Sequence, residues 1–156
     1  MVRTLAAFSL LFLALASCGD EEGDDAVDVF YPAEGYLGLP FSDAVRVGNM
    51  LYLSGQIGNR PGTLELVDGG MGAQARQALE NIRTVLEAYG SSMDEIVKCT
   101  IMLEDMADWP AFNEIYVTYF PGHKPARSAL GTSGLALGAL VEVECMATVR
   151  TDSDDD

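Results

Sequence analysis

The sequence predicts an α+β fold, a mixed β-sheet with two helices packed on one face, and three observations carry that prediction. Val45, Val47, Leu51 and Leu53 alternate on either side of Gly48-Asn49, the period of two expected of strands joined by a tight hairpin. Two later stretches, 73–89 and 108–119, repeat apolar residues every three or four positions and so present one apolar face each. Further strand patterns give the order hairpin, helix, strand, helix, strand, strand. Helices that are apolar on one side only must lie on something, and a sheet of five or six strands is what remains to receive them. The chain of 156 residues is long enough for one such domain and too short for two.

Residues 1–17, MVRTLAAFSLLFLALAS, hold one positive charge at Arg3 and an apolar run from Leu5 to Ala16. That run is shorter than the ~20 residues a transmembrane helix needs, and it suits a signal peptide removed on export. Leu15-Ala16-Ser17-Cys18 resembles a bacterial lipobox, which makes Cys18 the expected lipidation site. Several acyl chains on one terminus suffice for stable anchoring. The expectation is an exported bacterial lipoprotein that meets a membrane through its lipid anchor only and faces the periplasm. Gly19 follows Cys18, a pattern that does not choose between inner and outer membrane. Residues 18–30 then form an acidic tether, 31–150 the folded domain and 151–156 an acidic tail.

Charge divides the same way. Of the 24 acidic residues, ten lie in 20–28 and 152–156, and the net charge is −15. The domain itself is left with about −6, an ordinary solubilising charge. No cluster of lysine or arginine exists to release counterions from phosphates, so nucleic acid is excluded as a partner.

Within the domain, Val29-Phe30-Tyr31-Pro32 reads as a short edge strand limited by its proline. The hairpin follows, and its second strand runs into Ser54-Gly55-Gln56-Ile57-Gly58. Two glycines around a polar pair fit either a close approach by a ligand or another chain, or a bulge that ends the strand. Residues 59–72 are loop-like. Helix 73–89 buries Ala75, Ala78, Leu79, Ile82, Val85, Leu86 and Tyr89, leaves Gln74, Gln77, Asn81, Thr84 and Glu87 opposite, and stops at Gly90. In strand 96–103, Val97, Cys99, Ile101 and Leu103 alternate against Lys98, Thr100 and Met102. Asp108 is a plausible N-cap for the second helix, with Pro110 in its first turn and Phe112, Ile115, Tyr116 and Tyr119 as core. The last strand alternates Val141, Val143, Cys145, Ala147 and Val149 with Glu142, Glu144, Met146 and Thr148. One of those sets must face water or another subunit.

Cys99 and Cys145 each lie in an alternating apolar strand and read as two reduced core thiols rather than a disulfide. His123 is the only histidine, and no Cys/His grouping has metal-ligand spacing, so neither a metal nor an organic cofactor is expected.

Pro125-Ala126-Arg127-Ser128 followed by Val141-Glu142-Val143-Glu144 resembles the C-terminal signature of the RidA (YjgF/YER057c/UK114) family. The likeness continues in Leu53-Ser54-Gly55-Gln56-Ile57, in residues 74–81 (QARQALEN) and in Val97-Lys98-Cys99-Thr100, and it spans residues 40–150. It implies a chorismate-mutase-like fold, a homotrimer with ligand clefts between subunits, and hydrolysis of reactive enamines and imines such as 2-aminoacrylate to the 2-keto acid and ammonia. By motif, Arg127 matches the arginine that binds the substrate carboxylate and Glu142 the glutamate near the attacking water. Ser54 and Gly55 match the cleft loop, and Asn113 matches an asparagine of the second helix. The chemistry agrees: arginine holds a carboxylate with two parallel hydrogen bonds, and a placed carboxylate orients and deprotonates water. Glu142 also reads as a structural carboxylate between subunits, and Glu144 reads as structure. Two substrate-binding positions depart from the family, with Phe41 where many members have tyrosine and Ala129 where many have cysteine. Those departures, together with export, motivate the alternative of a lipid-anchored module that binds keto or amino acids without turnover. A ribonuclease, reported for some relatives, fits the acidic charge poorly.

Overall fold

Gly48-Asn49 forms the expected hairpin turn, with Gly48 at φ 58, between strands Ala44–Val47 and Met50–Leu53 in a register that pairs Val47 with Met50. The computed structural model describes residues 27–30 and 38–149. Within them, the strands are β1 (Val27–Phe30), β2 (Ala44–Val47), β3 (Met50–Leu53), β4 (Gln56–Ile57), β5 (Ile96–Leu103), β6 (Ala126–Gly131) and β7 (Val141–Thr148). The helices are α1 (Gly70–Ala88) and α2 (Trp109–Tyr119). The sheet runs β1-β2-β3-β7-β5-β6, and β4 continues beside β7 beyond the end of β3. Only β5 and β6 run parallel, joined across α2, so the sheet is mixed.

Both helices cover one face. Ala75, Leu79 and Ile82 of α1 and Phe112 of α2 share a core with Leu51, Ile101 and Val143 of the strands. α1 starts three residues before the expected Ala73, and it closes as expected at Gly90, whose φ of 75 suits glycine. Pro110 falls in the first turn of α2, but the Asp108 side chain makes no cap; Asp105 instead accepts from Ala107 N at 2.8 Å.

Several expectations are corrected. Cys99 and Cys145 are not reduced thiols but a disulfide. β5 and β7 are antiparallel neighbours and place the two cysteines directly opposite each other, a pairing that neither strand reveals alone. Closing a 46-residue separation restricts the unfolded chain by an amount worth about 4 kcal/mol. Val97 is exposed, because a bulge between Ile96 and Lys98 shifts the alternation so that Ile96 and Cys99 both face inward. Gln74 and Asn81 are buried rather than solvated: Gln74 Oε1 accepts from Leu140 N at 2.9 Å, and Asn81 bonds the β4 backbone. Ile115 and Tyr119 are only half-buried, since α2 packs chiefly through Phe112 and Tyr116. The edge strand β1 begins at Val27, inside the stretch assigned to the tether. The signal peptide, Cys18, Pro32 and the tail 151–156 lie outside the described residues.

Candidate active site

Arg127 is the second residue of β6 and stands in register with Cys99 of β5, so its side chain leaves the sheet on the helix side. α2 receives it there. Arg127 Nη1 donates to Asn113 Oδ1 at 2.9 Å, and the guanidinium lies over the Trp109 and Tyr116 rings, 4.5 and 4.7 Å from their centroids. Trp109, Asn113 and Tyr116 recur at spacings of four and three, which puts them on one side of the helix. Their rings join Phe112 and Phe120 in a ladder with centroid spacings of 6.4, 5.5 and 4.6 Å. Among the described residues no carboxylate forms an ion pair with Arg127. A half-buried guanidinium held by an amide and two rings, with donors to spare, is suited to a planar anion. The buried Tyr116 hydroxyl has no hydrogen-bond partner among the described residues. Burial pushes its pKa up, partly opposed by Arg127, so it stays a neutral phenol. Ala129 faces the same way two residues further along β6, in register with Ile101, and packs on the core.

Glu142 belongs to the other face. On β7 it alternates with the buried Val141 and Val143, opposite Met102 of β5 and Ile57 of β4. Its carboxylate packs against Gly55, where a Cβ would overlap the Glu142 carboxyl group. The close approach at Gly55 is made by the Glu142 side chain of the same chain, rather than by the ligand or second chain that the sequence suggested. Ser54 ties the preceding loop down: its N donates to Asp43 O at 2.8 Å and its Oγ to Ser42 O at 2.6 Å. Asn81 Nδ2 donates to Ile57 O (3.0 Å) and Asn59 O (3.1 Å), while its Oδ1 accepts from Gln77 (2.9 Å), clamping β4 to α1.

Beside β4 lies a cavity of about 470 Å³, lined by Phe41, Asp43, Gly55, Leu64, Leu137 and Glu142 among others; Ser54 and Arg127 do not reach it. Desolvation, then the neighbouring Glu144, hold Glu142 above the ordinary glutamate pKa. Burial likewise raises Asp43. Leu137 adopts left-handed backbone angles, φ 58 and ψ 11, which cost a residue with a side chain roughly 1–2 kcal/mol. A shallower hollow of about 450 Å³ beside His123 and Asp94 contains neither Arg127 nor Glu142.

The expected working pair is therefore not brought together within one chain. Arg127 sits opposite Cys99 and Glu142 opposite Met102, on either side of β5. Two strand spacings across and three residues along separate their Cα atoms by about 14 Å, with the side chains on opposite faces. Arg127, Asn113 and Ala129 make one group; Phe41, Gly55 and Glu142 make the other, with Ser54 behind it. Asp43, Trp109 and Leu137 belong to these groups and were not singled out in the sequence. The spacing of Trp109 to Asn113 and Tyr116 was the available signal for the first group. No pattern marked Asp43 or Leu137. The face that carries Glu142 also leaves Val47, Tyr52 and Leu130 exposed beside half-buried Met102 and Met146.

A family model described as endoribonuclease L-PSP matches residues 37–149. A Mus musculus protein named 2-iminobutanoate/2-iminopropanoate deaminase is 44% identical over 108 residues, 69% of this chain and 80% of its own length. Reactive Intermediate Deaminase A, chloroplastic, of Arabidopsis thaliana is 42% identical over 110 residues, 70% of this chain and 59% of its own. The solved structure of the Rid-family protein YyfA from Yersinia pestis, described as of unknown function, superposes with a TM-score of 0.74. It is 40% identical in sequence, and the match covers 80% of this chain and all of that one (100%).

Proposed function

The chain belongs to the RidA/YjgF family, and on that premise we propose that it hydrolyses reactive enamines and imines of 2-amino acids to the 2-keto acid and ammonia. Relatives at 44% and 42% identity are named as imine and reactive-intermediate deaminases. The observation that carries the reading is Arg127, a half-buried guanidinium with no carboxylate partner among the described residues, set to receive the carboxylate of a 2-imino acid.

An enamine first takes a proton at carbon to become the iminium. Water then adds to the iminium carbon, its oxygen lone pair forming the C–O bond while the C=N pair moves to nitrogen. Glu142, whose pKa is raised by desolvation and then by the neighbouring Glu144, takes the proton released by that water. The same proton passes to nitrogen, the C–N bond breaks as C=O forms, ammonia leaves, and the hydroxyl proton is released to solvent, balancing the one first taken at carbon. The chain's own residues can carry these steps without a cofactor.

Since Arg127 and Glu142 diverge within one chain, the site is completed between copies, Arg127 of one facing the Glu142 cavity of the next. A homotrimer supplies three such clefts. The partly apolar sheet face beside Glu142 supports burial against another copy. The test is keto-acid release from imines generated by an amino-acid oxidase. Acceleration lost in Arg127→Ala is the expected result; acceleration unchanged in that variant contradicts the mechanism.

Export and lipidation at Cys18 belong to the same proposal. The Cys99–Cys145 disulfide supports them independently, because such bonds persist in oxidising compartments and are rare in the cytosol. Cys18→Ser is expected to move the protein from the membrane fraction to the soluble one; continued membrane association contradicts the anchor.

A further inference from the structure

The cavity beside Glu142 holds more than a three-carbon imine needs. At about 470 Å³ it falls in the range of pockets that enclose whole drug-sized ligands. Its walls are mainly apolar: Leu39, Phe41, Leu64, Val85 and Leu137 contribute, while the charged groups within it, Asp43 and Glu142, are both acidic. Arg127 of the same chain is absent from it and its lining holds no cationic side chain, so the cavity is poorly matched to the substrate carboxylate. What it can receive is the other end of the molecule.

Two of the wall residues are held at a disadvantage. Leu137 is 54% exposed and Phe41 49% exposed, each leaving apolar surface at the cavity. Leu137 also keeps a left-handed backbone that glycine would adopt freely, next to Gly138 at φ 76. A strained, exposed leucine at the mouth of a pocket has no packing reward in the chain itself, and its apolar surface becomes useful when a ligand covers it.

We propose that this cavity is the side-chain pocket of the site and selects imines of large apolar amino acids, branched or aromatic, over the small 2-aminoacrylate type. The inference rests on the hydrolase reading above and deepens it. The substrate carboxylate stays at Arg127 of the neighbouring copy, the imine carbon lies by Glu142, and the side chain points to Phe41 and Leu137. Asp43 and Glu142 exclude acidic side chains by like-charge repulsion. Each added methylene that enters the pocket improves kcat/KM about fourfold.

The experiment uses the purified full chain and imines made in place from alanine, leucine, phenylalanine, glutamate and lysine. The expected order is leucine and phenylalanine well above alanine, about tenfold or more, with glutamate lowest. In Leu137→Gly, whose backbone is relaxed at this position and so keeps its fold, and in Phe41→Ala, the leucine-to-alanine ratio is expected to fall about fivefold. A flat ranking, a preference for lysine, or a ratio unchanged in both variants overturns the side-chain pocket while leaving the hydrolase reading in place. Calorimetric binding of the keto acids derived from leucine and from alanine separates the two claims. Tighter binding of the former, without turnover of any imine, sustains the pocket and sinks hydrolysis. Equal binding without turnover sinks both.

Discussion

Arg127 and Glu142 sit in surroundings of opposite design. The arginine is held by several contacts: Asn113 accepts from one nitrogen, the guanidinium lies over two aromatic rings, and β6 is paired with β5. The glutamate is held by an absence, the missing Cβ of Gly55, and opens onto a cavity. The first arrangement suits static recognition of an anion, because a guanidinium keeps its charge and needs only its direction fixed. The second suits proton transfer, because a carboxylate whose pKa is raised by burial and which opens onto a cavity can take a proton and return it. The two residues thus lie on opposite faces of one sheet, and in the proposed function it is assembly that reunites them.

The strongest way to break that division is to remove each group in turn. Glu142→Gln is expected to lower kcat by about 10²–10⁴-fold with KM nearly kept. Arg127→Ala is expected to lose about 10²–10³-fold in kcat/KM, mostly through KM. Steady-state kinetics on a single imine reads both; the same KM-to-kcat split for the two variants would erase the distinction.

Gly55→Ala sharpens the comparison without touching either functional group. The new methyl overlaps the Glu142 carboxyl, the mobile end of a side chain, so the fold accommodates it while the carboxylate swings out of place. A drop of about tenfold to a hundredfold in kcat, with an unchanged melting curve, is expected. Retained kcat would show that the carboxylate position does not matter.

The separation of faces was only partly legible in the sequence. The hairpin, both helices and strand 96–103 followed from period and turn chemistry, since these are local properties of the chain. Which strands adjoin is a long-range property, and so the Cys99–Cys145 bond and the divergence of Arg127 from Glu142 stayed hidden. The motif marks Arg127 and Glu142 as candidates, yet a motif gives order along the chain and not the face of the sheet. Gln74 and Asn81 show the same limit from another side. Their polarity suggested solvent, whereas both are buried and bond backbone groups that the fold leaves unpaired.

Smaller effects test the supports on each face. Asn113→Ala frees one nitrogen of Arg127 but leaves both rings, so a KM increase of about three- to tenfold is expected with kcat little changed. Glu144→Gln removes the like charge that helps to raise Glu142. Base action by Glu142 is present above its folded-state pKa and lost as pH falls through it, so the acid limb of kcat is expected to move to lower pH in Glu144→Gln. The sign for stability is the reverse. A carboxyl whose folded pKa lies above its unfolded one contributes stability that is full below the unfolded value and is lost as pH rises through the folded value. Glu142→Gln should therefore melt higher than the parent protein at neutral pH, and that advantage should vanish in acid. An acid limb unmoved in Glu144→Gln would show that burial alone sets the Glu142 titration.

The central claim, that arginine and glutamate from different copies make one site, is tested most directly by mixing two variants that each lose kcat/KM and assaying them at substrate well below KM. Arg127→Ala and Glu142→Gln subunits, coexpressed in equal amounts and purified together, form clefts at random. In a cyclic assembly about a quarter of those clefts combine an intact Arg127 with an intact Glu142. Recovery of about a quarter of the parent activity is the result expected; a mixture as inactive as either variant alone would contradict the shared site.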